Sequence, residues 1–357
     1  MAEMKIGIGL YRYMLNKENY RFAKQAGCTH IIAHLVDYYR DQDGVHGTDE
    51  VKNMGKSVAN EDVWSYESIH RLKNEIEDEG LTLYAIENFA PADWYDVLLD
   101  GPKKEEQIER LKHIIRNVGK AGIPVFGYNF SIAGVWGHLR RPLARGGAVS
   151  VGFSDKEGAK QTPIKNGQIW NMTYDENEEG YIDEITTEQL WDRLTYFLNE
   201  LVPVAEEVGV VLAAHPDDPP LKTLRGTPRL VYQPHLYQKL LDIYPSKSNA
   251  LEFCMGTIQE MTEGNIYDAI EQYGSQEKLA YVHFRNVIGK VPEYHEVFVD
   301  EGDIDMVKAL KLLKKHNFDG VLIPDHTPLF DTEIPWHMGM AHAIGYIKGI
   351  YDAVVKE

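Results

Sequence analysis

Short, almost uninterrupted apolar runs recur along the chain, and between them lie longer stretches whose apolar residues return with helical spacing. The runs fall at 5–10 (KIGIGL), 30–35 (HIIAHL), 81–86, 123–128, 210–215, 250–253, 279–282 and 321–323. Runs of this length fit parallel strands buried on both faces. Helical periodicity predicts helices over 19–27, 66–79, 103–122, 189–208, 234–243, 259–273, 303–316 and 338–355. The first stops on Gly27, and a capping pattern starting at Thr187 precedes the fourth. Eight strands, each followed by a helix, predict an α/β fold of the (β/α)8 TIM barrel type rather than an open sheet.

One stretch breaks this rhythm. Over 131–184 the chain is rich in Gly, Arg, Asn and acidic residues and keeps no sustained period. So long a segment without regular elements is expected to be an insertion after strand four that crosses a functional face or a partner-binding surface. A shorter polar loop is expected from the second run to about Trp64. A chain of 357 residues can remain a single barrel domain, 1–357, with 131–184 as an insertion within it.

Composition narrows the function. The chain is 43% hydrophobic, and no stretch approaches the ~18 consecutive apolar residues of a membrane span. The first residues, MAEMKIGIGLY, lack the basic flank, apolar core and cleavage site of a secretory leader, so a cytoplasmic location is expected. Two cysteines, Cys28 and Cys254, make no disulfide framework and read as free thiols. A net charge of −18 argues against binding to a phosphate backbone. It also repels small anions, so an anionic substrate would need local cations to reverse the field at its site.

The chemistry gathers at the strand ends. VVLAAHPDDPP delivers His215 from an apolar run into a Pro- and Asp-rich turn, and NALEFC, KLAYVH and GVLIPD finish on Cys254, His283 and Asp325. In a barrel of this type the C-terminal strand ends converge on one face, so these four residues are expected to form one divalent metal site. A thiolate favours zinc or iron, with manganese the harder ion. Each residue has a plainer reading as a buried thiol, a hydrogen-bonding histidine or a turn aspartate. Their common position on consecutive strand ends is what favours the site. Arg285 and Asn286, just past His283, are candidates to fix a substrate carboxylate or hydroxyl. Asp217 and Asp218 are candidates for substrate hydroxyls or for the turn, and His34, Glu87 and Asn129 are candidates to line a pocket.

The segments LVPVAEEVGVVLAAHPDDPP, LEFCMGT, YVHFRNV and IPDH resemble, in order, the signature blocks of the mannonate dehydratase family, and AGIPVFGYNF resembles an earlier block. The resemblance implies a metal-dependent barrel that dehydrates D-mannonate to 2-keto-3-deoxy-D-gluconate. It implies manganese, with iron, cobalt or zinc as alternatives, on His215, Cys254, His283 and Asp325, and proton transfer by His326. Family members follow the Asp-His pair with Gly-Arg, whereas this chain has Thr327-Pro328. His337 stands where the family's loop carries a tyrosine that shares the acid/base work. The expected partners are a small sugar acid and further copies of the chain, with no nucleic acid and no membrane. Two other readings keep the barrel: a metal-dependent sugar isomerase or epimerase, and a catalytically silent sugar-binding protein. Cys254 favours the lyase, because isomerase sites of this architecture use carboxylates and histidines.

Overall fold

The computed structural model describes residues 3–38, 55–156 and 161–356, so the expected polar loop before Trp64 falls partly outside the described residues. Eight parallel strands close into a barrel: β1 (Lys5–Leu10), β2 (His30–His34), β3 (Thr82–Glu87), β4 (Val125–Tyr128), β5 (Val211–Ala214), β6 (Asn249–Cys254), β7 (Leu279–His283) and β8 (Val321–Ile323). Around them run α1 (Lys17–Ala26), α2 (Tyr66–Glu77), α3 (Pro91–Leu99), α4 (Lys104–Lys120), α5 (Thr187–Val208), α6 (Leu236–Ile243), α7 (Met255–Glu260), α8 (Ile266–Ser275), α9 (Met306–Lys315) and α10 (Pro335–Lys356). This is the TIM barrel that the alternating pattern predicts. No helix among the described residues is long and apolar enough to cross a membrane.

Local chemistry sets the helix limits. Gly27 and Gly209 end α1 and α5 in the left-handed conformation. Thr186 caps α5 in a full capping box with Gln189, one residue before the expected start of the pattern. The single helix expected over 259–273 is two, α7 and α8. Gly264 at φ 69° breaks the path, and the Asn265 side chain caps the second helix by accepting from Asp268 N–H. Helix α3 carries no clear apolar stripe in the sequence, because most of its side chains, the acids Asp93 and Asp96 included, are buried.

Side-chain alternation sorts each strand between the barrel interior and the helix layer. Leu212, Leu251, Phe253, Val282 and Leu322 join the large outer cluster, whereas Ala213, Ala250, Tyr281 and Val321 form the interior one. Small interior residues leave room for polar groups. On β6 the inward face runs Ala250, Glu252, Cys254, so the same period that buries Ala250 carries Cys254 to the barrel mouth.

Two register shifts interrupt this alternation. Opposite β6 the pairing passes from Leu251 with Leu279 to Glu252 with Tyr281, and opposite β2 it passes from Ile31 with Leu83 to Ile32 with Ala85. Each shift places two successive residues, Ala280 with Tyr281 and Tyr84 with Ala85, against the interior cluster. The extra residue reverses the facing of all that follows on its strand. His283 and Glu87 are thereby turned inward, and Tyr84 Oη donates to the Ala280 carbonyl at 3.1 Å, joining one irregularity to the other.

Outside the barrel, Asn286–Lys290, Glu293–Val297, Ser150–Ser154 and Leu139–Arg141 form a four-stranded antiparallel sheet. Residues from 131–184 therefore pair with the chain that follows β7.

Gly127 on β4 faces the interior, where a Cβ would meet the Tyr281 hydroxyl and a Glu252 carboxyl oxygen. Gly127→Ala is expected to lower stability by about 1–3 kcal/mol through overpacking. Gly345→Ala, on α10 with open space around the new methyl, is expected to raise it by about 0.5–1 kcal/mol. Urea unfolding of both variants checks the contrast.

Candidate functional site

At the barrel mouth Cys254 pairs with His283 across β6 and β7, and His215 follows the last residue of β5. One donor atom from each of His215, Cys254 and His283 lies within 4.8 Å of the others. His215 is held by its backbone N–H to the Tyr128 carbonyl at 2.8 Å, and its Nδ1 donates to the Pro216 carbonyl at 2.6 Å. That bond fixes the ring and leaves Nε2 as the nitrogen able to accept a cation. Asp325 sits two residues past β8 at φ 62°, a strained conformation for a residue with a Cβ. Its Oδ2 lies 3.3 Å from His283 Nδ1 and 3.3 Å from His326 Nε2. Of the four expected ligands, three share one cluster and Asp325 joins it through His283.

Charge is balanced by a buried arginine. Arg285 contacts Asp218 at 2.7 Å, Glu260 at 3.0 Å, Thr257 Oγ1 at 2.9 Å and Asp325 at 3.3 Å. Burial alone would raise the Cys254 thiol. The Arg285 guanidinium and hydrogen bonds from His215 and His283 outweigh it and hold the sulfur well below its ordinary range, as a thiolate. Burial likewise opposes charge on His215, but Cys254 and Glu252 lift its pKa to about 9. The cluster is thus a thiolate facing imidazolium, whose protons a divalent cation would displace.

Beneath the cluster lie Glu87 and Glu252. Burial, reinforced by the charge of Glu87, pushes Glu252 well above the carboxylate range and keeps it neutral. Glu87 stays ionised, because His34 and His283 together overcome its desolvation. The Tyr281 hydroxyl donates to Glu87 at 3.2 Å.

Above the cluster opens a cavity of about 210 Å³, lined by His34, Asn129, His215, His283, Asp325 and His326 among others. Tyr38 and Trp170 stack at 5.7 Å on one wall, and Trp336 reaches another. His326 is gripped at Nδ1 by Glu296, which also lines the cavity. Burial lowers the affinity of His326 for a proton, but Asp325 and Glu296 more than restore it, so its pKa lies above the ordinary value.

Four expected site residues are placed elsewhere. Asp217 accepts from the backbone N–H groups of Leu230 and Val231 and pairs with buried Arg229 at 3.0 Å, so it holds the turn. Asn286 is committed to Ile304 and Val287 backbone groups. Arg285 has its guanidinium among buried acids rather than in the cavity. His337, in the first turn of α10, hydrogen-bonds Asn19 Oδ1 at 2.9 Å and packs edge-on to Phe22. None of the four lines the cavity. Conversely, Asp218, the other acid of the same turn, does line it, as do His138, Arg140 and Glu296, for which strand-end position gives no signal. For Glu296 a signal was available: alternation on either side of Val291-Pro292 marks a hairpin that returns toward the site.

Fold and site together define a closed (β/α)8 barrel with imidazole and thiolate donors gathered at one mouth. It shares its shape with a solved L-ribulose 3-epimerase at a TM-score of 0.59 over 99% of this chain and 96% of that one, at 16% identity, a likeness of fold alone. The family model of D-mannonate dehydratase (UxuA) matches residues 34–357, and the chain belongs to that family. A mannonate dehydratase of Streptococcus pneumoniae is 33% identical over 310 residues, 82% of this chain and 84% of that protein. The crystal structure of mannonate dehydratase from Streptococcus suis serotype 2 superposes with a TM-score of 0.79, covering 100% of this chain and 95% of that one at 27% identity.

Removal of the Arg285 charge leaves Asp218 and Asp325 buried without their shared partner. Arg285→Met is expected to destabilise the fold by about 3–5 kcal/mol, read as a lower urea midpoint at unchanged slope. A loss below about 1 kcal/mol would show that the guanidinium does not balance these acids.

Proposed function

We propose that the protein is a metal-dependent hydro-lyase that removes water from D-mannonate to give 2-keto-3-deoxy-D-gluconate. The observation that carries the reading is the convergence of His215, Cys254 and His283 at the floor of a small cavity that also holds His326, in a chain of the D-mannonate dehydratase family. The donor set of two imidazoles and a thiolate suits a borderline divalent cation. His215, Cys254 and His283 would hold the ion, with Asp325 as a fourth ligand. Manganese is the ion expected from the family resemblance, and iron, cobalt or zinc would also suit the thiolate. Bound there, the ion supplies Lewis acidity to substrate oxygens.

The chain's own residues handle the protons. Dehydration takes a proton from C2, next to the carboxylate, and gives one to the hydroxide leaving C3, so the net proton count is unchanged. His326 is suited to the second task. Asp325 and Glu296 favour its protonated form, and Glu296 fixes the ring through Nδ1, so that Nε2 is the nitrogen that delivers the proton. Aromatic side chains around the cavity shield the reacting carbons from bulk water and pack against the C–H faces of the substrate.

With manganese and D-mannonate the protein is expected to form a 2-keto acid, and to lose this activity in chelator. His326→Asn is expected to keep its metal while kcat falls by about 10²- to 10⁴-fold. Isomerisation of a neutral sugar without loss of water, or stabilisation by sugar acids without turnover, would overturn the assignment.

A further inference from the structure

The cavity is rich in acids. Glu87, Asp218, Glu296 and Asp325 all line it, on a chain that carries a net charge of −18. A carboxylate ligand entering such a site meets repulsion unless a fixed positive charge is waiting. Among the described residues that line the cavity, Arg140 is the one lysine or arginine. It sits in the strand Leu139–Arg141 of the outer sheet, paired with Val151, and its neighbour Arg141 pairs with Ser150.

Around it the cavity presents buried polar atoms that have no hydrogen-bond partner: Asn129 Oδ1, Ser150 Oγ, Asn171 Oδ1 and Thr327 Oγ1. Asn129 and Ser150 are almost wholly buried, at 6% and 4% exposure. Buried polar groups are normally satisfied, so four unsatisfied ones on the wall of one cavity point to a ligand that satisfies them. Two of these atoms are amide oxygens that need a donor, and two are hydroxyls that give or take a hydrogen. A chain of sugar hydroxyls answers both kinds.

We propose that Arg140 is the counter-charge for the substrate carboxylate and that Asn129, Ser150, Asn171 and Thr327 bind hydroxyls of the same molecule, so that the outer sheet selects sugar acids over neutral sugars. The inference rests on the sugar-acid reading above and adds the residues that recognise the acid. A guanidinium meets a carboxylate in a directed, two-pronged geometry that an ammonium does not reproduce. The selection is therefore specific to arginine.

Calorimetric titration of D-mannonate and of D-mannitol, its neutral polyol counterpart, into the metal-loaded wild type, Arg140→Gln and Arg140→Lys tests this. The wild type is expected to prefer the acid. Arg140→Gln is expected to weaken D-mannonate by about 10- to 100-fold while leaving D-mannitol within about 3-fold, and Arg140→Lys to recover part of the loss. Thermal melting of each variant establishes that it is folded. Equal weakening of acid and polyol would make Arg140 a shaper of the cavity and overturn the proposal, as would unchanged binding of D-mannonate. A wild type that binds D-mannonate through Arg140 but forms no 2-keto acid would overturn the dehydratase reading alone. A wild type that binds no D-mannonate would overturn both.

Discussion

The site depends on which way a few side chains face at the end of a closed barrel. Strict alternation from Leu279 would send His283 toward the helices, and strict alternation from Leu83 would do the same to Glu87. One extra residue on each strand reverses this, and the Tyr84 to Ala280 hydrogen bond ties the two irregularities across the interior. Once His283 faces inward, its register partner Cys254 lies beside it, and His215 on the next strand completes the group. Small residues at Ala85, Ala213, Ala250 and Gly127 leave the space below for Tyr281 and the two glutamates.

Electrostatics then decides what this geometry can hold. Taking a thiolate and several carboxylates out of water is unfavourable, and Arg285 offsets much of it by touching Asp218, Glu260 and Asp325 at once. Glu252 contributes by remaining neutral, which limits the negative charge beneath the imidazoles. The remaining surplus of negative charge is what a divalent cation would neutralise. An anionic substrate would be met in this acid-lined cavity by the proposed cation and by the Arg140 side chain on its wall.

The barrel itself was legible because its strands are short, apolar and regularly spaced, and because strand-end position alone selected His215, Cys254 and His283. Elements with weaker patterns were not. Helix α3 is largely buried, and the outer strands mix polar residues into runs of three to five, so no continuous apolar run marks them. Roles were harder than positions. Arg285 and Asn286 lie next to a site residue in the chain, yet their side chains point into buried polar networks, and proximity in sequence does not report side-chain direction. His337 shows the same limit: its neighbour Trp336 reaches the cavity while its own ring turns to α1. Glu296 lies on a local hairpin with Val287, but the sheet that carries Arg140 to the cavity is completed by pairing 150–154 with 293–297, segments more than a hundred residues apart, which local patterning does not encode.

The proposed metal site requires that nitrogen and sulfur donors from three strands meet on one cation. Cobalt substitution tests it most directly, because a thiolate bound to cobalt(II) produces an intense near-ultraviolet charge-transfer band that a site without sulfur lacks. That band is expected at one cobalt per chain, and is expected to disappear in Cys254→Ser while the fold persists. Stoichiometric cobalt binding with no such band, or a band unchanged in Cys254→Ser, would contradict it.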